Sequence, residues 1–313
     1  MSALLPLCGK TSDMELVSTR ARKRMVTRCC ASRNKTSAAL AAAIPRAIGA
    51  EKCVTATATK RAFAQQKRKS RLARRGIIMI KDILTTGAPA LGLSIDDTAA
   101  EKFETYFDLL VEKNRVMNLT AITDERGVAT LHFLDSLAVY NMLDCGKKII
   151  DIGSGAGFPG LPLKIYDSGI ELTMLDALQK RVSFLSETAA ALGLSDVECI
   201  HARAEEAAAK PPMRDGFDHA VSRAVARLNV LAELCLPFVR QGGSFIALKS
   251  VDTENEIAEA ERAVKTLGGT IEDVRDYAVP ETDVVHRAVI IRKMSPTPKG
   301  YPRRFAKIQK SPL

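Results

Sequence analysis

The chain has 313 residues, 46% of them hydrophobic, which is enough for one large buried core or two modest ones. Its formal charge of +10 is uneven: residues 1–78 hold 18 Lys and Arg against the three acids Asp13, Glu15 and Glu51, whereas residues 79–313 hold 28 basic and 33 acidic residues, which excludes a uniformly basic nucleic-acid protein and makes any attraction to polyanions local. No apolar run approaches the roughly 20 residues of a membrane span, and seven scattered Cys and four scattered His lack metal-ligand spacing, so a soluble protein of a reducing compartment, without a metal site, is expected.

Residues 1–78 are rich in Arg, Ser, Thr and Ala and have no sustained apolar period, so this leader is expected to lack a folded core. Two readings fit it, a targeting segment or translation from a start upstream of the native one. Met79, which opens Met79-Ile-Lys-Asp-Ile-Leu84, favours the second. From Asp96, a good N-cap, the residues Phe103, Tyr106, Phe107, Leu110 and Val111 recur at helical spacing as far as Asn114. A second helical segment is expected over 131–138, so residues 79–145 read as a helical cap.

Strands and helices then alternate. Strands are expected at 148–152, 171–175, 197–201 and 218–222, then at 244–249, near 271–277 and at 287–292, with a polar helix at 253–267. The alternation predicts an α/β fold with a mostly parallel, Rossmann-like sheet over residues 146–294. In such sheets ligands bind at the carboxyl ends of the strands.

The first of these ends carries the most informative stretch, Asp151-Ile-Gly-Ser-Gly-Ala-Gly-Phe-Pro-Gly160. Gly153, Gly155 and Gly157 allow a tight strand-to-helix turn and leave backbone amides for a nucleotide-type cofactor. Asp176, closing the second strand, suits paired ribose hydroxyls. Gly155-Ala-Gly157-Phe-Pro-Gly160 also fits the dinucleotide pattern. Asp151 would repel a pyrophosphate and favour the cationic S-adenosylmethionine over NAD. Arg203-Ala204-Glu205, after the third strand, offers an amide and a carboxylate to an adenine. Lys180 and Arg181 stand in a first helical turn, where the dipole disfavours cations and an anionic partner would explain them. Arg223 and Lys249 end the fourth and fifth strands and should point into the cleft.

Residues 295–313 carry Lys299, Arg303, Arg304, Lys307 and Lys310 with no acid, and Tyr301 and Phe305 lie between them. Prolines at 296, 298, 302 and 312 argue against a regular helix, so an extended basic arm able to track a nucleic-acid backbone is expected.

Asn118-Leu-Thr120, His132-Phe-Leu-Asp-Ser136, the glycine stretch, Leu175-Asp176, Lys180-Arg-Val-Ser-Phe-Leu185, Ser222-Arg-Ala224 and Ala247-Leu-Lys249 together resemble the RsmG family, also called glucose-inhibited division protein B. The resemblance covers about residues 79–313 and leaves the leader unmatched. It implies a class I S-adenosylmethionine-dependent methyltransferase fold and a cytoplasmic enzyme acting on N7 of one guanine in 16S ribosomal RNA, free or in a small-subunit particle. Its cofactor contacts fall on Gly153, Phe158, Ala204, Glu205 and Arg223, with Asp176 added from the strand reading above. Position 158 varies between Phe and Leu in the family, which implies apolar packing. Guanine N7 already bears an in-plane lone pair, so no catalytic base is assigned. An Arg bonded to N7 would block the reacting atom, so Arg223 is set on the cofactor. His132, Lys180, Arg181, Lys249 and the basic arm are left as candidate RNA contacts, and a monomer is expected. Two alternatives remain: an NAD-dependent Rossmann oxidoreductase, and an RNA-binding module with a vestigial cofactor loop.

Overall fold

The structure is a computed structural model that describes residues 79–143, 146–223 and 226–313; the leader at 1–78, with the expectations attached to it, lies outside the described residues. Helix α1 (Ile80–Gly87) buries Ile80, Ile83 and Leu84 on one face. Helix α2 (Asp97–Met117) starts where expected, with the Asp96 carboxylate accepting from Ala99 N at 2.6 Å. It runs three residues past the expected end and stops at Asn118, in the left-handed conformation. Asn118 tolerates that conformation better than most residues. A third helical stretch, α3, begins at Glu125–Val128, widens into a π-helical turn at Ala129–Leu134 and closes at Asp135–Leu137. Such π turns mark places where packing overrides regular helix geometry.

The sheet has seven strands among the described residues, β1 (Lys148–Ile152), β2 (Glu171–Asp176), β3 (Val197–His201), β4 (Phe217–Arg223), β5 (Val239–Ser250), β6 (Gly269–Ala278) and β7 (Val285–Lys293), in the order 3-2-1-4-5-7-6. The first five are mutually parallel, and β7 runs antiparallel between β5 and β6. The mostly parallel α/β sheet expected from the sequence is therefore the one observed. Strand β5 begins five residues earlier than expected, because Gly242-Gly243 reads as a turn. A Cβ on Gly243 would lie 2.2 Å from the Asp218 carbonyl, so glycine is what lets β5 lie against β4 there.

Successive residues point to opposite faces of each strand. Ile149, Leu172, Met174, Val221 and Ile246 form one core with Phe103, Tyr106 and Phe133 of the cap. Ile150, Leu175, Ala220, Phe245 and Ala247 form another with α7 (Leu228–Cys235) and α8 (Glu254–Thr266), which follow α4 (Gly160–Tyr166), α5 (Gln179–Ala191) and the short α6 (Ala204–Ala207). The chain order reverses between β1 and β4, which opens a crevice at their carboxyl ends.

The expectation of an extended C-terminal arm is corrected. Phe305–Lys310 form a short helix, α9, between Pro302 and Pro312, and Ile308 is fully buried in the second core with Phe305 and Leu313 packed around it. Apolar burial at these positions outweighs the breaking tendency of prolines that flank the helix without interrupting it.

Candidate cofactor and active site

The glycine loop is preformed. Gly153, Gly155 and Gly157 have φ of 72°, 57° and 105°, in the region that disfavours side chains. Its amides are largely engaged. Those of Gly153 and Ser154 donate to Leu175 O at 2.8 and 3.2 Å, that of Gly155 to Asp176 Oδ2 at 3.0 Å, and those of Gly157 and Phe158 to Ser154 O. The expectation of bare amides is thus corrected: five loop N–H groups are taken internally. A pyrophosphate, which is bound through such donors, loses its partners here.

Asp151 also departs from expectation. It does not line the cavity; it is fully enclosed, with Oδ2 accepting from Gly160 N at 2.9 Å. Burial, only partly opposed by that hydrogen bond and by the charge of Arg223, pushes its carboxyl up to about 7. Asp151 therefore braces the loop from behind, and a Cβ on Gly160 would lie 2.8 Å from its oxygen.

In front of the loop, at the carboxyl ends of β1, β4 and β5, lies a cavity of about 880 Å³ walled by Gly153, Phe158, His132, Arg223, Lys249 and His286, among others. The His132 ring stacks on Phe158 at 4.5 Å between centroids, and the Arg223 guanidinium lies 4.8 Å from the same ring. Burial, followed by the charge of Arg223, pushes His132 down to about 4, so the ring is neutral at physiological pH. Its Nε2 lies 2.7 Å from Thr120 Oγ1, within the Asn118-Leu-Thr120 segment.

Arg223 is held by Asp135 of α3. Nη1 donates to Asp135 Oδ2 at 2.9 Å and to Leu131 O at 3.2 Å. The other oxygen of Asp135 accepts from Tyr277 Oη of β6 at 2.9 Å and from His286 Nδ1 of β7 at 2.7 Å. Burial raises the Asp135 carboxyl, yet His286 and Arg223 outweigh it and hold the group below its ordinary value. His286 is raised in turn, chiefly by its hydrogen bond to Asp135. This cluster joins cap, parallel sheet and antiparallel edge at one wall of the cavity. Sequence reasoning did not extract Asp135, Tyr277 and His286; the only signal was Asp135 inside the His132-to-Ser136 motif.

The structure brings Gly153, Phe158, Arg223, His132 and Lys249 together on the cavity wall. It does not bring Asp176, Ala204 or Glu205 there. Asp176 sits at the end of β2 with its oxygens accepting from Gly155 N and Leu178 N, and Ala204 and Glu205 open α6 after β3, two strands and about 10 Å of sheet from β1. Asp176 is 3% exposed. Lys180 is exposed, and Arg181 finds its anion inside the protein, with Nη1 3.5 Å from Asp176 Oδ2. Lys249 is largely buried and donates to Ala226 O and Glu256 Oε1, both at 2.5 Å.

These residues fit S-adenosylmethionine. The cavity has the size of a small-ligand site. Arg223 is a fork-shaped cation suited to a carboxylate, the loop has no spare run of donors for a diphosphate, and acceptors lie along the edge toward β3. No group of three or more metal-ligating side chains occurs among the described residues, and no described helix is long and apolar enough to cross a membrane.

A family model described as rRNA small subunit methyltransferase G matches residues 99–285. The ribosomal RNA small subunit methyltransferase G of Alkaliphilus oremlandii is 46% identical over 236 residues, which span 75% of this chain and 99% of that protein. The proteins of the same name from Clostridium beijerinckii and Acetivibrio thermocellus are 44% and 42% identical, over 74% and 75% of this chain and 98% of each relative. Likeness of that degree along nearly the whole of each relative carries the family with it: the chain belongs to the RsmG (GidB) family of class I S-adenosylmethionine-dependent methyltransferases.

Proposed function

We propose that the protein methylates N7 of a guanine in 16S ribosomal RNA, acting in the cytoplasm on the RNA or on a small-subunit particle. The observation that carries this reading is the convergence of the glycine loop, Arg223 and the neutral His132 on one cavity at the switch point of the sheet, in a chain whose relatives are named for small-subunit rRNA methylation.

When bound, the cofactor supplies a methyl group on a positively charged sulfur. The chain's own work is to bind, align and exclude water. Gly153 gives close backbone approach, Phe158 an apolar wall, and Arg223 a bidentate partner for a carboxylate. Asp176 is the ribose partner in this reading, and Ala204 and Glu205 hold the adenine. Since guanine N7 exposes its lone pair in the base plane, alignment replaces proton removal and no side chain acts as base. His132, flat and uncharged, is the proposed neighbour of the target base. Lys249 keeps one N–H beyond those given to Ala226 and Glu256, and Lys180 and Arg181 are further RNA candidates.

Incubation with labelled methyl donor and small-subunit RNA or particles from cells lacking the enzyme tests this. Label in N7-methylguanine is expected. Binding without transfer would favour an inert RNA-binding module, and a melting temperature raised by NAD but not by S-adenosylhomocysteine would favour an oxidoreductase.

A further inference from the structure

The C-terminal segment is fastened from beneath by buried polar groups. Arg303 donates through Nε and Nη2 to both oxygens of Glu233, at 2.8 and 2.6 Å, and through its own amide at 2.8 Å; Glu233 is fully buried. Arg214 donates to the carbonyls of Tyr301 and Thr297 at 2.8 and 2.7 Å. The buried Lys293 donates to Leu236 O at 2.7 Å and to Thr297 Oγ1. Ile308 anchors α9 in the core. The segment therefore has a fixed inner side and a fixed outer side.

The outer side presents Lys299, Arg304, Lys307 and Lys310, all exposed and none with an acidic partner among the described residues. Some exposed cations elsewhere are paired, as in Lys147–Asp167, Arg227–Glu259 and Arg240–Asp218, while others such as Arg115, Lys180 and Lys265 stand singly among the described residues. Net charge sets the C-terminal segment apart: residues 79–294 hold 23 basic and 33 acidic side chains, whereas 295–313 hold five basic and none acidic. A polyanion approaching the folded body meets net repulsion except at such a patch. The inner side of the segment meets the loop after β3: the Phe305 ring lies 5.6 Å from the guanidinium of Arg203, which precedes Ala204 and Glu205, the proposed adenine partners.

We infer that residues 295–313 form a rigid phosphate-binding face that grips the backbone of the substrate RNA beside the cofactor edge. The inference rests on the RNA methyltransferase reading above and adds the place where the backbone is held. Because the cations are preset on a docked segment, binding does not have to order a disordered tail, whose ordering would weaken affinity.

The test is the fourfold variant K299Q/R304Q/K307Q/K310Q, with Arg303 left intact, binding protein-free 16S rRNA transcript over a salt series. Each lost phosphate contact lowers the log-log salt slope by about 0.7 to 0.9, so a fall of about 3 to 3.5 is expected when all four are lost. The affinity for S-adenosylhomocysteine and the melting temperature should stay unchanged. The charge-keeping variant K299R/R304K/K307R/K310K should retain the wild-type slope. Should the fourfold variant melt early, K307Q/K310Q alone gives the same readout at about half amplitude. An unchanged slope in a wild-type background that binds and methylates the RNA overturns this inference and leaves the function intact. A wild-type protein that neither binds nor methylates the RNA overturns both.

Discussion

The guanidinium of Arg223 and the carboxylate of Asp135 meet at 2.9 Å across the joint between cap and sheet, 88 residues apart in the chain. Asp135 is only 1% exposed. Removing one member of a buried pair strands the other, at a cost of about 3 to 5 kcal/mol. Asp135→Asn should therefore lose about 3 kcal/mol in urea unfolding and weaken S-adenosylhomocysteine binding at least about tenfold, since about 1.4 kcal/mol of lost orientation suffices for that factor. Wild-type stability and affinity together in this variant would remove Asp135 from the site.

His286 adds a pH dependence whose sign follows from the directions of the two shifts. His286 is raised above 6.5 in the folded state, so its contribution is complete below 6.5 and is lost as pH rises through the raised value. Asp135 is lowered below 3.8, so its contribution is complete above 3.8 and is lost as pH falls through the lowered value. The charged pair is fully effective between these limits. In His286→Gln, which keeps a donor without a titrating charge, the alkaline decline should disappear from the melting temperature measured across pH 5 to 9. Identical curves for the two proteins would refute the assignment.

Asp151 behaves in the opposite sense. Its folded-state value of about 7 lies above the ordinary 3.8, so the unfolded chain ionises first and the group costs stability progressively as pH rises between those values, with no further loss above about 7. Three units correspond to an upper bound of about 4 kcal/mol. Asp151→Asn in the ligand-free protein should flatten stability across this range and be the more stable form at pH 8. The same slope of stability against pH between 4 and 7 in the wild type and in the variant would contradict it.

Two strand spans are legible in the sequence to the residue, for different reasons. The expected span at 148–152 coincides with β1, an apolar run ended by a glycine, and that at 197–201 with β3, a partly exposed edge strand whose alternating pattern is bounded by turns. Arg223 was readable as a strand-end residue. Its partners were not: Tyr277 and His286 reach Asp135 over 142 and 151 residues from the antiparallel edge, and no local period encodes such a meeting. The π turn around His132 is likewise a product of packing. In the C-terminal segment the prolines were legible, but the buried Glu233 that fixes Arg303 lies 70 residues away. Asp151 was read as a cavity anion because its spacing to Gly153 is visible, while the Gly160 amide that turns it inward becomes apparent only in three dimensions.

The link between cap and cofactor loop is testable through Tyr106 and Gly157. The buried Tyr106 hydroxyl donates to Ala156 O at 2.5 Å, and burial raises the phenol well above its ordinary value, so it is a permanent donor. Tyr106→Phe should cost about 1 to 3 kcal/mol, the range for a lost bond that leaves a buried acceptor unpaired. In Gly157→Ala the new Cβ would lie 2.6 Å from both Tyr106 Oη and Leu161 Cδ1 on a residue with φ of 105°, so this variant combines a steric clash with backbone strain. The hydroxyl is part of the obstacle, so Gly157→Ala should cost less in the Tyr106→Phe background than in the wild type, by roughly 0.5 to 1 kcal/mol of coupling within the range seen for contacting residues. Strain at φ and the Leu161 contact remain in either background, so the double variant stays below wild type in both stability and S-adenosylhomocysteine affinity. Strict additivity of the two substitutions in urea unfolding would mean that the hydroxyl does not bear on the loop.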